Sequence, residues 1–435
     1  MDKENNEMIE GYKETEIGIP PEDWEVVKLE DVAHVKAGGP APQGDHFFGG
    51  KNPFIRVQHI DEVMNKVSGW NLITDEAVNR YNLQLFPKGT IIFPKSCASI
   101  RLEKRAMLPF DAYIVSHLCA VLPAVQKVHN IFLFHTLRFV RFAESKSDGY
   151  PTLSLGEIKD RLIPLPPLPE QRKIAYVLST IQKAIELQEK IIVALKELKK
   201  SLMRHLFTYG PVPVDQIDLI PLKETEIGMV PEHWKVTKLG EVAKTASGGT
   251  PSRKHPEYFG GKILWVKSGE LNDNSISCTE ETLTDTGLSN SNAKVFPEGT
   301  LLIAMYGATV GKVGILKCKA ATNQAVCGVF PHRGIISKFL FYTIIYRRSE
   351  LLSKRYGGAQ PNISQTVIRA FNIYIPPLIE QHQIACILTT IDNKINTEEK
   401  RKSTLQSLFQ TMLHLLMTGK VRVRDLEVKE DALRR

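Results

Sequence analysis

PPLPEQRKIAYVLSTI, Pro166–Ile181, returns as PPLIEQHQIACILTTI, Pro376–Ile391. Each copy opens a long stretch whose apolar residues recur at spacings of three and four. In the first these are Ile174, Leu178, Ile181, Ile185, Ile192, Leu195, Leu202 and Leu206. In the second they are Ile384, Leu388, Ile391, Ile395, Leu405, Phe409, Met412 and Leu416. Such spacing over several heptads predicts coiled-coil helices. Proline at the head suits helix initiation, and Glu170 and Glu380 complement the N-terminal dipole. Each helix of about 38 residues would span roughly 57 Å at 1.5 Å per residue. That exceeds the width of a domain of about 160 residues, so the helices are expected to pair with each other. Antiparallel pairing sets Ile174 against Leu416, Ile185 against Leu405, Leu195 against Ile395 and Leu206 against Ile384. Gln188 then meets Lys402 near the centre, where a polar pair fixes register at some cost in stability. Lys199 and Glu398 are further polar gaps in the seam. Two similar domains at opposite ends of a rod, related by a pseudo-twofold axis, is the expected arrangement.

Working outward, each helix closes one half of an internal duplication. KETEIG at Lys13–Gly18 recurs at Lys223–Gly228, and 14 of the 21 positions in 13–33 match 223–243. Similarity then returns in islands. AGGPAPQ (Ala37–Gln43) faces SGGTPSR (Ser247–Arg253), and FFGGKNPFIRV (Phe47–Val57) faces YFGGKILWVKS (Tyr258–Ser268). LFPKGTIIF (Leu85–Phe93) faces VFPEGTLLI (Val295–Ile303), SHLCAVLP (Ser116–Pro123) faces QAVCGVFP (Gln324–Pro331), and YPTLS (Tyr150–Ser154) faces QPNIS (Gln360–Ser364). The islands combine glycine-marked turns with short β-branched runs, the pattern of strands and tight turns. Between them, polar segments diverge: 58–82 against 269–291, and 95–105 against 305–312. A shared scaffold carrying different loops points to one task performed on two targets, because recognition usually sits on loops.

Composition narrows the class. A length of 435 residues exceeds one ordinary core, and 43% hydrophobic with 24% charged residues describes a globular chain. Its start, MDKENNEMIEGYKE, lacks the pattern of a secretory signal. No apolar run reaches the roughly 18 residues of a membrane span. Six cysteines without CxxC spacing predict buried free thiols in a reducing cytoplasm, and no zinc site. A net charge of +8 is compatible with nucleic acid without demanding it.

Catalytic patterns are missing. GATVGK, Gly307–Lys312, has three residues between its glycines and Val313 where a phosphate loop needs Ser or Thr, and no strand is expected before it. No GxGxxG opens a βαβ unit, and the twelve histidines form no HxxxH or HExxH pair. PEDWEVVK, Pro21–Lys28, is the nearest approach to a metal-dependent nuclease string, but its spacing is wrong. An enzyme is not expected.

The duplicated EIG-P-x-x-W opening, SGGTPSR followed by FGGKILWVKSGEL, TNQAVCGV (Thr322–Val329), the QPNIS-to-PPLIEQ run and the closing LLMTGKVRV together resemble the specificity subunit of type I restriction–modification enzymes. The likeness covers essentially the whole chain. The first half departs from the commoner pattern, with SHLCAVLP in place of TNQA and PKSCASI in place of MYGATVG. The resemblance implies an α+β protein with two mixed α/β target recognition domains joined by two long antiparallel coiled-coil helices. The expected boundaries are domain one at 1–165, a central helix at 166–210, domain two at 211–375, a distal helix at 376–420 and a charged tail at 421–435. It further implies double-stranded DNA as ligand, each domain reading half of a split target while the helices set the spacer. Two methyltransferase subunits would dock on the helices, and restriction motor–nuclease subunits would join them. S-adenosylmethionine, ATP and Mg would reside in those partners, with no cofactor or metal in this chain.

Candidate DNA-contacting residues come from the divergent or glycine-flanked loops, since cations supply phosphate affinity and a few polar side chains read bases. In the first half they are Lys36, Gly38, Gly39, Gln43, Lys95, Ser99, Arg101, Lys104 and Arg105. In the second they are Ser247, Gly248, Gly249, Thr250, Ser252, Arg253, Lys254, Lys267, Tyr306 and Thr309. The glycine pairs are expected to let the backbone turn sharply near phosphate. Trp24, Trp234, Phe48 and Phe259 read as core. A coiled-coil adaptor without DNA specificity, a hidden nuclease or methyltransferase, and a chain serving a fused restriction–methylation enzyme are the rival readings. The first of these predicts no sequence preference and no steep salt dependence.

Overall fold

The computed structural model describes residues 10–61, 65–96, 98–142, 152–353 and 362–427. Cys97, the first residues of YPTLS and QPNIS, and the tail beyond 427 lie outside them. The chain divides into two compact units, 1–190 with 399–435, and 191–398. Each unit therefore holds one domain, half of its own long helix and half of the other.

In the first unit Glu25–Lys28 pairs antiparallel with Leu162–Leu165, the strand that leads into the long helix. A four-stranded sheet follows in the order Ala33–Ala37, Leu118–Pro123, Ile91–Pro94, Ala106–Met107. A second sheet carries Phe48–Ile55 between Asn71–Ile73 (antiparallel) and Tyr113–Ile114 (parallel). Ile91, Phe93, Cys119 and Val121 turn one face into a core with Trp24 and the helix Asn130–Phe139. The alternate residues Ile92, Leu118 and Ala120 face a second core with Phe54 and Phe86, the period-two partition expected of strands buried on both faces.

The second unit repeats this plan. Lys235–Lys238 pairs with Asn372–Ile375. A five-stranded sheet runs Ala243–Ser247, Val326–Pro331, Leu301–Ala304, Val313–Leu316, Asn274–Ile276. Phe259–Val266 again lies between an antiparallel neighbour, Glu281–Leu283, and a parallel one, Ala320–Thr322.

The long helices run Leu168–Tyr209 and Leu378–Met417, 42 and 40 residues. Within the first unit Glu189 pairs with Lys402, and Glu170 with Arg422, so the two helical segments are antiparallel. Ile174, Leu178 and Ile185 share a core there with Phe409, Leu413 and Leu416, and Ile181, Leu405 and Met412 pack against it. Within the second unit Lys199 pairs with Asp392 at 2.6 Å, and Leu202 and Leu206 pack with Ile384 and Leu388. Ile395 is buried, while Leu195 and Ile391 are half-buried. The seam includes buried Gln188 and Glu398. Lys402, expected to meet Gln188, pairs with its neighbour Glu189. A lysine stem can follow the apolar seam while its ammonium seeks a carboxylate at the edge.

The PEQ residues explain how each helix is rooted. Trp24 Nε1–H donates to Glu170 Oε2 at 3.1 Å, and Trp234 Nε1–H to Glu380 Oε2 at 2.8 Å. Gln171 accepts from the His129 amide at 2.8 Å and donates to the Pro166 carbonyl at 2.8 Å. Gln381 does the same with Ile336 and Pro376, at 3.0 Å each. The helices end before Gly210 (φ +85) and Gly419 (φ +68), left-handed conformations that glycine adopts without strain. Beyond Gly419 the charged segment docks on the first unit. Arg422 bonds both Asp23 oxygens, at 2.9 and 2.8 Å, and both Glu170 oxygens, at 2.7 Å each.

Two expectations need correction. Of the five described cysteines, Cys119 and Cys327 are buried, whereas Cys278 and Cys386 are exposed and Cys318 is intermediate. A strand, Leu301–Ala304, does precede GATVGK; another strand follows at Val313, so the segment is a turn between antiparallel neighbours.

Candidate nucleic-acid interface

In the second unit the candidate loops are stitched together by backbone bonds at the ends of the strands. The Gly249 amide donates to Thr322 O at 2.9 Å, Asn323 to Val266 O at 3.0 Å, and Met305 to Ala325 O at 2.8 Å. The Thr309 hydroxyl donates to Ser268 O at 2.7 Å and Trp265 Nε1–H to Gly249 O at 3.1 Å. Segments 247–254, 266–273, 305–312 and 322–325 thus form one continuous loop cluster. Thr250 donates to Gln324 Oε1, Ser247 to Gln365 Oε1 at 3.2 Å, and Ser252 Oγ accepts from the Lys254 amide at 3.3 Å. Tyr306 and Lys254 are exposed beside them.

Arg253 and Lys267 are not free cations. Arg253 bonds Glu281 through two nitrogens, at 2.6 and 3.1 Å, and Lys267 Nζ lies 2.8 Å from Glu280 and 3.0 Å from Glu281. The bonds from Arg253, then from Lys267, hold the Glu281 carboxyl down at about 2. The Arg253 guanidinium also lies over the rings of Phe259 and Trp265, 4.3 and 5.4 Å from their centroids.

In the first unit the Gly38 amide donates to Leu118 O at 3.1 Å and Gly39 to Ile114 O at 2.9 Å. The Lys95 amide donates to His117 O at 2.9 Å, and Ser96 Oγ lies 2.6 Å from His117 Nδ1. Ser99 Oγ donates to Ser96 O at 3.0 Å, and Lys104 Nζ to Ile60 O at 3.3 Å. Segments 38–43, 95–104 and 114–118 therefore meet. Arg101 is exposed on the 95–105 loop, Lys36 is exposed on the strand Ala33–Ala37, and the exposed Gln43 donates its backbone amide to the Tyr81 hydroxyl at 2.9 Å.

Arg105 does not belong to this surface. It is 2% exposed, donates to Leu137 O at 3.0 Å and Lys104 O at 2.9 Å, pairs with Glu103, and lies 4.7 Å from the Phe93 ring centroid. A guanidinium spent on core carbonyls and a carboxylate is unavailable to phosphate. The glycine pairs also have a different reason from the one expected. None of the four has positive φ. A Cβ on Gly38 would sit 2.3 Å from Val115 O, and one on Gly248 2.0 Å from Thr322 O. Gly38, Gly248 and Gly249 are glycine because another backbone passes against them, and Gly39 because the Leu83 side chain does.

Sequence reading missed Arg56, Glu281, Gln324 and Gln365. Arg56 was within reach, since the Phe47–Val57 island sets it opposite Lys267. Its guanidinium lies 5.5 Å from the Phe48 ring centroid and 5.9 Å from that of Phe54. Phe48 and Phe259, read as core, are half-buried and carry these arginines; Trp24 and Trp234 are fully buried.

Residues 21–197 and 231–407 each match the family described as the type I restriction modification DNA specificity domain. The chain belongs to that family. It is 30% identical over 435 residues to the type I restriction enzyme MjaVIII specificity subunit of Methanocaldococcus jannaschii, covering 96% of this chain and 97% of that one. The putative MjaX specificity subunit of the same organism is 28% identical, with 95% and 97% covered. The solved type I S subunit from M. genitalium shares the fold at TM-score 0.58 and 14% identity, covering 91% of this chain and 96% of that one. A structure concerned with assembly and conformational transition of a type I restriction–modification system matches at TM-score 0.55 and 19% identity, covering 92% and 99%. These two show the specificity-subunit fold: tandem mixed domains with long helices. Among the described residues, no group of three or more His, Cys, Asp or Glu is placed to hold a metal, and no helix is long and apolar enough to cross a membrane.

Proposed function

We propose that this specificity subunit is the DNA-reading chain of a type I restriction–modification complex and performs no chemistry itself. The observation that carries this reading is the pair of family-matching domains on one chain, with the same strand plan and divergent loop clusters. Domains within 1–165 and 211–375 each read one half of a split duplex target. Phosphate contacts from loop lysines and arginines give salt-dependent affinity, and polar loop side chains read base edges. The rooted helices fix the distance between the half-sites and offer docking faces for two methyltransferase subunits. Adenine methylation, with S-adenosylmethionine, and ATP-dependent cleavage belong to the partner subunits, in the cytoplasm.

The test replaces Tyr306–Gly311 by a linker of the same length and sequences the methylated sites in cells that also express the methyltransferase partner. One half-site should lose its preference while the other is kept. Loss of both preferences in a folded variant, or retention of both, contradicts separate reading by the two domains.

A further inference from the structure

The two domains seat an arginine on the same aromatic shelf but deliver it from different places. In the first, Phe48 pairs with Ile73 and Phe54 with Asn71; in the second, Phe259 pairs with Leu283 and Trp265 with Glu281. Phe48, Phe54 and Asn71 therefore correspond to Phe259, Trp265 and Glu281. On the second shelf lies Arg253, supplied by the loop after the glycine pair. At that loop position the first domain has Gln43, whose side-chain amide folds back onto Ala41 O at 3.1 Å. Its shelf is filled instead by Arg56, from the end of the central strand, where the second domain has Lys267. The surroundings differ in charge. Glu281 joins Arg253 and Lys267, and Glu280 adds a second carboxylate. In the first domain Asn71 replaces that carboxylate and Trp70 replaces Glu280. Arg56 Nε and Asn71 Oδ1 are both buried without a hydrogen-bond partner among the described residues. Unmet buried polar atoms are costly to leave so, and each calls for a partner such as a water, an ion or a ligand.

We infer that the shelf arginine is a DNA-contacting group in each domain, Arg56 in the first and Arg253 in the second, and that Glu281 is a positioning residue that fixes Arg253 and Lys267. The inference rests on the reading of both domains as DNA-binding. Stacked guanidinium planes present their N–H forks in a set direction, and such a fork matches paired acceptors on phosphate or on a guanine edge. The first domain's fork lacks a counterpart of Glu281, Asn71 standing in its place, and it meets phosphate. The second's charge is balanced internally, so its orientation contributes more than its charge.

The experiment uses the full chain with a pool of random-sequence duplexes, sequenced after selection, and one mixed-sequence duplex titrated at several salt concentrations. R56Q should flatten the salt dependence of log affinity by about 0.9, one phosphate's worth, and weaken binding evenly across sequences. E281Q should steepen that dependence by a similar amount and relax preference in one half-site only. N71E, which installs the missing carboxylate at the position of Glu281, should flatten the salt dependence as R56Q does, and it serves if R56Q fails to fold. R253K, which keeps the charge and removes the fork that Glu281 holds, should relax preference in the same half-site as E281Q and serves if E281Q fails to fold. An unchanged slope in R56Q and N71E overturns the role of Arg56. An unchanged half-site pattern in folded E281Q overturns the positioning role. If the wild-type chain itself enriches no sequence and shows no salt dependence, the DNA-reading function falls, and this inference with it.

Discussion

Three charged residues show how far a letter in the sequence is from a role. Arg105, Arg253 and Arg56 are alike as letters, yet the first is sealed in a core, the second is clamped by a carboxylate and the third sits on a shelf. Arg105→Ala should cost the first unit about 3 kcal/mol, because Glu103 and two carbonyls lose their donor, with no change in DNA affinity per folded molecule. Chemical denaturation and duplex titration measure the two effects; a stable variant with weakened binding would reverse the assignment. Glu281 also predicts a pH response. Its carboxyl is depressed to about 2 by Arg253 and Lys267, so its stabilising contribution is complete above the usual value of 4.5. That contribution fades as pH falls from there toward about 2. Unfolding of E281Q should lack this acid-sensitive component. The residue roles were illegible in sequence because they depend on which strand end delivers a side chain to the shelf, and the one-to-one islands conceal that exchange.

At the scale of the element, the helices were the legible part. Their heptads announced long paired helices, and buried Ile174, Leu178, Ile185, Ile384 and Leu388 lie on the predicted faces. The roots were not legible: PEQ was read for its helix-starting proline and acidic first turn, whereas the glutamate also holds a tryptophan and the glutamine staples a neighbouring helix. Gln171→Ala leaves the His129 amide and Pro166 carbonyl short of a partner. It should destabilise the first unit by about 2 kcal/mol, with Gln381→Ala acting equally on the second. Thermal unfolding of each variant checks the symmetry of the effect. Helices acting as a ruler also predict that deleting Gln182–Gln188 from the central helix changes the spacer or abolishes methylation. An unchanged spacer in an active variant would remove the ruler.

At the scale of the whole molecule, the duplication in the sequence is the duplication in the fold, down to the parallel pair beside each central strand. The distal segment was not readable in advance. Arg422 ties it to Asp23 and to the nearly buried Glu170, Arg424 adds a bond to Asp23, and the composition of KVRVRDLEVKEDALRR gives no hint of those partners. What the two domains recognise together is the central claim, and methylome sequencing of cells expressing this chain with its methyltransferase partner tests it most directly. The account predicts a methylated motif made of two specified half-sites separated by a fixed unspecified gap; a single continuous motif would contradict it.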